Sequence, residues 1–269
     1  MSLFEEENIS SRLMLGSAGY PTLKSLIDSI QVSETNVVTV SLRRARAEDQ
    51  ENSTFLKEIE KTNVRFLPNT SGCFSLDDII TVSEMAREIF ETNWVKLEAI
   101  GDDFTLFPDP LLLVQAAKEL NNRGFKVFPY TSPDIVLCQH LADAGCDILM
   151  PLAAPIGSGQ GPIYDQDLIR IRDKFPKHTL IVDAGIGKPS HAAQVMEWGY
   201  DGVLLNTAVS QAGDPALMAS SFAKAIEAGR NAYQAGMIAQ SDHAIASSPQ
   251  IDQPFWHQAV EDKDDDIAA

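Results

Sequence analysis

The 269-residue sequence predicts a (β/α)8 TIM barrel folded as a single domain, and three observations carry that reading. Eight short β-branched or apolar runs recur along the chain. Between them lie segments whose apolar residues return at three- and four-residue spacing, the period of a helix with one buried face. No Ser/Gly/Pro-rich linker divides the chain, and barrels of about 250 residues are common as one domain. Strict β/α alternation over eight strands is the pattern of a parallel sheet that closes on itself. An open doubly wound sheet is the alternative, but it would be marked by an early Gly-x-Gly-x-x-Gly after the first strand, which is missing here.

The strands are read at Arg12 to Leu15, Val37 to Leu42, Val64 to Leu67, Trp94 to Glu98, Phe125 to Phe128, Ile148 to Met150, Leu180 to Val182 and Val203 to Leu205. Side chains branched at Cβ lose freedom in a helix and pack well on a pleated surface, so such runs favour strands. Helical spacing covers Leu76 to Phe90, Asp109 to Asn122, Asp134 to Ala144, Asp167 to Lys174, Ser190 to Glu197 and Pro215 to Ala235. Asp109-Pro110 reads as an N-cap followed by proline at the first helical position, where its missing N–H costs nothing. Gly124 sits where that helix would end, and Pro189-Ser190 starts another after a glycine-rich turn. Beyond about Ala239 the pattern dissolves, and Glu261 to Asp266 holds five acidic residues among six. The barrel is therefore expected over 1–245 and a partly disordered acidic tail over 246–269, interrupted by Phe255 and Trp256.

A formal net charge of −17 opposes a polyanion partner, because nucleic-acid binding needs clustered Lys and Arg to displace counterions. Met1 to Asn8 carries three consecutive glutamates and no basic segment leading into an apolar one, and no window reaches the ~18 apolar residues of a membrane span. A soluble cytoplasmic protein is expected, acting on neither nucleic acid nor membrane. Cys73, Cys138 and Cys146 form no Cys-x-x-Cys pair and fit buried thiols in a reducing compartment. Five scattered histidines lack metal-ligand spacing, so no protein-bound metal is expected.

The chemistry-bearing candidates lie where strands end. In Trp94-Val95-Lys96-Leu97-Glu98, alternation puts Lys96 and Glu98 on one face about 7 Å apart along the backbone. An amine and a carboxylate inside a protein are costly unless they pair or work, which points to an imine-forming lysine with an acid/base partner. Asp183 ends the seventh strand and can project into the same mouth. The alternative is a structural ion pair, with Asp183 capping a turn. Asp183-Ala184-Gly185-Ile186-Gly187-Lys188-Pro189-Ser190 and Asn206-Thr207-Ala208 follow the last two strands, where many barrels hold a phosphate on backbone amides. Pro155 to Gly161 follows the sixth strand as a flap or a surface loop. Cys73, in Pro68 to Cys73 after the third strand, has no histidine near it in sequence and reads better as a buried thiol than as a nucleophile.

These segments also carry a family resemblance. Leu67 to Cys73, Val95-Lys96-Leu97-Glu98, Phe125 to Tyr130, Met150-Pro151-Leu152 with Pro155 to Gly161, Val182 to Gly187 and Val203 to Ala208 resemble the thiazole synthase family of thiamin biosynthesis, ThiG, from about Arg12 to Pro249. The resemblance implies a barrel that condenses 1-deoxy-D-xylulose 5-phosphate with dehydroglycine and sulfur from the C-terminal thiocarboxylate of a carrier protein, ThiS. It implies no cofactor, a homo-oligomer, often a tetramer, and contact with the enzyme that makes dehydroglycine. By matching motif, Lys96 is the imine-forming lysine, Glu98 and Asp183 are acid/base residues, and Gly157, Ala184, Gly185, Asn206 and Thr207 bind the sugar phosphate. Gly16-Ser17-Ala18-Gly19-Tyr20 departs from the family, which more often reads Gly-Thr-Gly-Lys followed by an aromatic. An aldolase-like lysine-imine enzyme on a phosphosugar, and a non-catalytic phosphosugar-binding barrel, remain the competing readings.

Overall fold

Alternation along each strand sorts side chains between two cores, and that sorting builds the molecule. The structure, a computed structural model, describes residues 3–42 and 50–244. Among the described residues, eight parallel strands pair in sequence order and close into a barrel, β8 returning to β1. They are β1 (Leu13–Gly16), β2 (Val37–Ser41), β3 (Arg65–Asn69), β4 (Trp94–Leu97), β5 (Lys126–Thr131), β6 (Ile148–Pro151), β7 (Thr179–Asp183) and β8 (Gly202–Leu205). The helices are α1 (Leu3–Glu6), α2 (Leu23–Val32), α3 (Gln50–Glu60), α4 (Leu76–Phe90), α5 (Pro110–Asn122), α6 (Ile135–Asp143), α7 (Asp165–Lys174), α8 (Pro189–Glu197), α9 (Thr207–Ser210) and α10 (Pro215–Ala235).

The expected TIM barrel is present, with two kinds of difference at element level. β3 and β5 continue through a proline, at Pro68 and Pro129, and β6 ends on one, Pro151, whereas the sequence reading stops each strand just before it. Proline lacks a donor but keeps its carbonyl, and pairing carries on past it at Ser41↔Asn69, Tyr130↔Met150 and Thr131↔Pro151. Helices α2 and α3, between the first three strands, and the short α1 and α9 are additions. α2 is rich in serine, which blurs its apolar stripe, yet Leu26 and Ile30 are buried and Thr22 with Ser25 forms a reciprocal capping box. α9 is a single turn, too short to show a period. As read from the sequence, the Asp109 carboxylate accepts from the N–H groups of Leu111 and Leu112, and Gly124 adopts φ +80° just past α5.

One compact unit runs to Ala235, and Gly236 to Ala244 carry neither helix nor strand. The tail expected over 246–269, with Phe255 and Trp256, lies outside the described residues. No helix among the described residues is long and apolar enough to cross a membrane. The three cysteines are buried thiols outside any disulfide, and burial pushes Cys138 and Cys146 up to about 12.

Outward-facing residues such as Leu13, Val38, Val95, Leu97, Val127, Leu149 and Val203 share one core with the helices. Met14, Leu67, Phe128, Met150, Ile181 and Leu204 point the other way and fill the barrel interior. Leu3, Phe4 and Ile9 complete that inner core from the N-terminal end. A side chain at Gly202 would place its Cβ 2.6 Å from the Phe4 ring, so the glycine makes room for the plug. The backbone N–H of Leu3 donates to Thr179 Oγ1 at 2.9 Å, and Glu7 pairs with Arg65 and Lys126. Phe4→Ala is expected to lower the unfolding free energy by about 3–5 kcal/mol, read as a shift of the urea midpoint at unchanged slope. A change below about 0.5 kcal/mol would show that the plug contributes no packing.

Candidate active site

Strand periodicity turns Lys96 and Glu98 into the barrel while Val95 and Leu97 are buried on the helix side. Asp183, the last residue of β7, reaches the same point from across the barrel. Lys96 Nζ lies 2.7 Å from Asp183 Oδ2 and 3.2 Å from Glu98 Oε1. All three side chains are buried, at 6%, 7% and 3% exposure for Lys96, Glu98 and Asp183. Burial pulls the lysine pKa down, but Asp183 first and Glu98 second outweigh it, so the ammonium is held above the usual lysine range. Burial pushes the Asp183 carboxyl up, and the Lys96 charge only partly opposes that. Lys96 therefore rests as an ammonium between two carboxylates, one of which is primed by burial to take a proton.

Glu98 is held by a residue that the sequence did not mark. β3 and β4 pair at Asn69↔Lys96, and beyond it Thr70 takes over. Its N–H donates to the Lys96 carbonyl at 3.1 Å. Its hydroxyl accepts from the Glu98 N–H at 2.9 Å and donates to the Glu98 carbonyl at 3.0 Å. A threonine side chain thus stands in for the next rung of the ladder. No spacing rule could have found it, because the bond depends on where two strand ends meet.

Above these groups opens a cavity of about 710 Å3. Gly157, Ala184, Gly185, Asn206 and Thr207 border it, together with Lys96, Glu98 and Asp183, so every site residue read from the sequence lies at one mouth. The loops after β6 and β7 pack backbone to backbone. The Gly161 N–H donates to the Gly185 carbonyl at 2.8 Å. Gly185 has φ +73°, and a Cβ there would collide with the Ala154 backbone, so only glycine permits this approach. Ala184 before it also has positive φ, +58°. Asn206 packs against Gly16, and its buried Oδ1 has no hydrogen-bond partner among the described residues.

Gly16, Ser17 and Ala18 line the cavity too, so the first three residues of the 16–20 segment reach its wall. Asn69, Ser71 and Gly159 put the loops after β3 and β6 on the same rim. Cys73 belongs instead to the outer hydrophobic core. Thr39, Ser41, Ile100, Leu106, Gln211 and Met218 are lining residues that sequence reasoning missed. Thr39 and Ser41 were findable, as alternate polar positions in an otherwise apolar strand. Among the described residues, no group of three or more His, Cys, Asp or Glu is arranged to hold a metal ion.

Comparison with known proteins adds the family. A model described as Thiazole biosynthesis protein ThiG matches residues 3–249. The thiazole synthase of Ralstonia pickettii is 53% identical over 253 residues, covering 94% of this chain and 92% of that protein. That of Neisseria meningitidis is 52% identical over 254 residues, covering 94% and 97%. Among solved structures, a chain of the Amycolatopsis orientalis BexX/CysO complex aligns with a TM-score of 0.78 at 25% identity, over 87% of this chain and 96% of that one. A native KDPGal structure, at TM-score 0.57 and 15% identity, shares the fold alone.

Thr70→Val keeps the shape of the side chain but leaves the Glu98 N–H and carbonyl unmatched. It is expected to cost about 1–3 kcal/mol of stability and to lower turnover about 10- to 100-fold through misplacement of Glu98. Thr70→Ser should restore both; denaturant titration and steady-state kinetics on the pair check this.

Proposed function

Because the chain belongs to the thiazole biosynthesis protein ThiG family and is an enzyme of thiamin biosynthesis, we propose that it builds the thiazole phosphate carboxylate from three inputs. These are 1-deoxy-D-xylulose 5-phosphate bound as an imine on Lys96, dehydroglycine, and sulfur from the thiocarboxylate of the carrier protein ThiS. The observation that carries the reading is the buried Lys96 ammonium shared by Asp183 and Glu98 beneath a cavity of about 710 Å3.

An ammonium is no nucleophile, so imine formation begins with a proton transfer. Asp183, 2.7 Å from Nζ and raised by burial, accepts that proton as the sugar displaces water. The neutral amine adds to the C2 ketone, and the protonated carboxyl returns the proton to the departing hydroxyl, which leaves as water. The resulting iminium acidifies the C3 proton. Glu98 removes it, and reprotonation at C2 moves the carbonyl to C3, where sulfur can add. The later water losses and ring closure need further proton transfers, which suits two carboxylates carried on different strands. The iminium is itself the electron sink, so the reading calls for no nicotinamide, flavin, pyridoxal or metal.

The phosphate is assigned to the turns that hold Gly157, Ala184, Gly185, Asn206 and Thr207, which border the cavity. The extended C-terminal peptide of ThiS is assigned to the rim between the loops after β3 and β6, supported by Asn69, Ser71, Gly157 and Gly159 along the lining. A relative of this barrel takes part in a two-protein complex, BexX/CysO, in keeping with a protein partner. A homo-oligomer, a tetramer by family resemblance, and contact with the enzyme supplying dehydroglycine complete the reading.

Incubation with 1-deoxy-D-xylulose 5-phosphate, reduction with borohydride and peptide mapping should locate a sugar-phosphate adduct on Lys96 that Lys96→Ala lacks. An unmodified Lys96 under saturating sugar would favour a different substrate or a non-catalytic barrel. In Asp183→Asn the main charge holding the lysine pKa up is gone, so the neutral amine becomes available at lower pH. The midpoint of adduct formation should move down in pH while its maximal rate falls about 100-fold or more. A midpoint that stays in place or rises would contradict the electrostatic assignment.

A further inference from the structure

One buried aromatic residue beside the lysine has no part in the chemistry above. Tyr130, on β5, is fully buried, and the centroid of its ring lies 5.8 Å from Lys96 Nζ. A ring face attracts a cation, more strongly where water is excluded. Its hydroxyl donates to the carbonyl of Leu106 at 3.3 Å. Leu106 sits in the hairpin that follows β4, closed by the Ile100↔Pro108 bridge and by the Gly101 N–H to the Phe107 carbonyl at 2.8 Å. Leu106 has φ +56°, a conformation that costs free energy for a side chain of its size, and with Ile100 it lines the cavity. Burial, then the charges of Asp183 and Glu98, push the Tyr130 phenol up, so it stays a neutral donor. Among the described residues, the groups facing Lys96 are thus Asp183 from β7, Glu98 just past the end of β4, and Tyr130 from β5.

We propose that Tyr130 is a positioning residue for Lys96: its ring stabilises the positive charge on Nζ, first as ammonium and then as iminium, while its hydroxyl fixes the hairpin wall through Leu106. The iminium half rests on the imine reading given above; the ammonium half does not. The ring adds no proton chemistry of its own. It favours the cationic form at each stage, so its loss lowers the lysine pKa and makes the neutral amine available at lower pH.

The test replaces Tyr130 with phenylalanine and then with mono-, di- and trifluorophenylalanine, which drain the ring face of negative potential at nearly constant shape. Thermal melts check that each variant is folded. Two readouts are taken: the pH dependence of Lys96 modification by trinitrobenzenesulfonate without sugar, and borohydride trapping with 1-deoxy-D-xylulose 5-phosphate. Tyr130→Phe should leave the Lys96 midpoint unchanged and raise the half-saturating sugar concentration about 2- to 10-fold, the effect of one lost hydrogen bond on the wall. Successive fluorines should lower the midpoint stepwise and move the pH profile of borohydride trapping down with it. A flat fluorine series overturns the role of the ring, and unchanged half-saturation in Tyr130→Phe overturns the role of the hydroxyl. If wild-type protein forms no adduct while the midpoint still follows fluorination, the imine reading fails and the ring role stands. If wild-type protein forms the adduct and the series is flat, the ring role alone fails.

Discussion

One ammonium between two buried carboxylates governs the mouth of this barrel. A lysine alone at that depth would lose its proton, and two carboxylates alone would repel until one was protonated. Together they keep the lysine charged across a 2.7 Å gap to Asp183, the carboxyl to which its proton would pass. Desolvation narrows the difference between the two protonation states by opposing both charges at once. Breaking such a cluster leaves an uncompensated charge, so the arrangement is costly to keep and informative when found.

The rest of the architecture keeps that cluster dry below and open above. Met14, Leu67, Phe128, Met150, Ile181 and Leu204 form an apolar floor from the inward faces of six strands. Phe4 and its neighbours seal the far end, and Gly202 gives up its side chain to admit them. Above the floor the inward positions turn polar at Asn69, Lys96, Glu98 and Asp183. The same two-residue period that places valines against the helices therefore delivers charged groups to one place. Thr70 and the glycine contacts after β6 and β7 then set positions to within a hydrogen bond, which chemistry at a single carbonyl demands.

Proton transfer, anion binding and partner access need different materials, and the rim supplies them on separate strands. Charged side chains come from β4 and β7. Turns follow β6, β7 and β8, and in the first two glycine lets main chains approach each other. The hairpin after β4 contributes apolar wall and carries Phe104 at 95% exposure on its tip. In the proposed reaction these become proton shuttle, phosphate seat and substrate wall.

Legibility in the sequence followed how local each feature was. Eight strands, their order and the shared face of Lys96 and Glu98 could be read because period, branching and strand ends are properties of neighbouring residues. The family could be read because its motifs survive as contiguous strings. Strand ends beyond Pro68 and Pro129, and at Pro151, could not, since a proline looks like a stop until it or its neighbours are seen to pair. Nor could the 2.7 Å contact of Lys96 with Asp183, the Thr70 clamp on Glu98 or the Tyr130 ring beside Nζ. By itself the sequence determined a (β/α)8 barrel with an amine and carboxylates at strand ends. Tertiary structure decided which of those groups meet, because closing the sheet brings β3, β4, β5 and β7 to one mouth across long stretches of intervening chain.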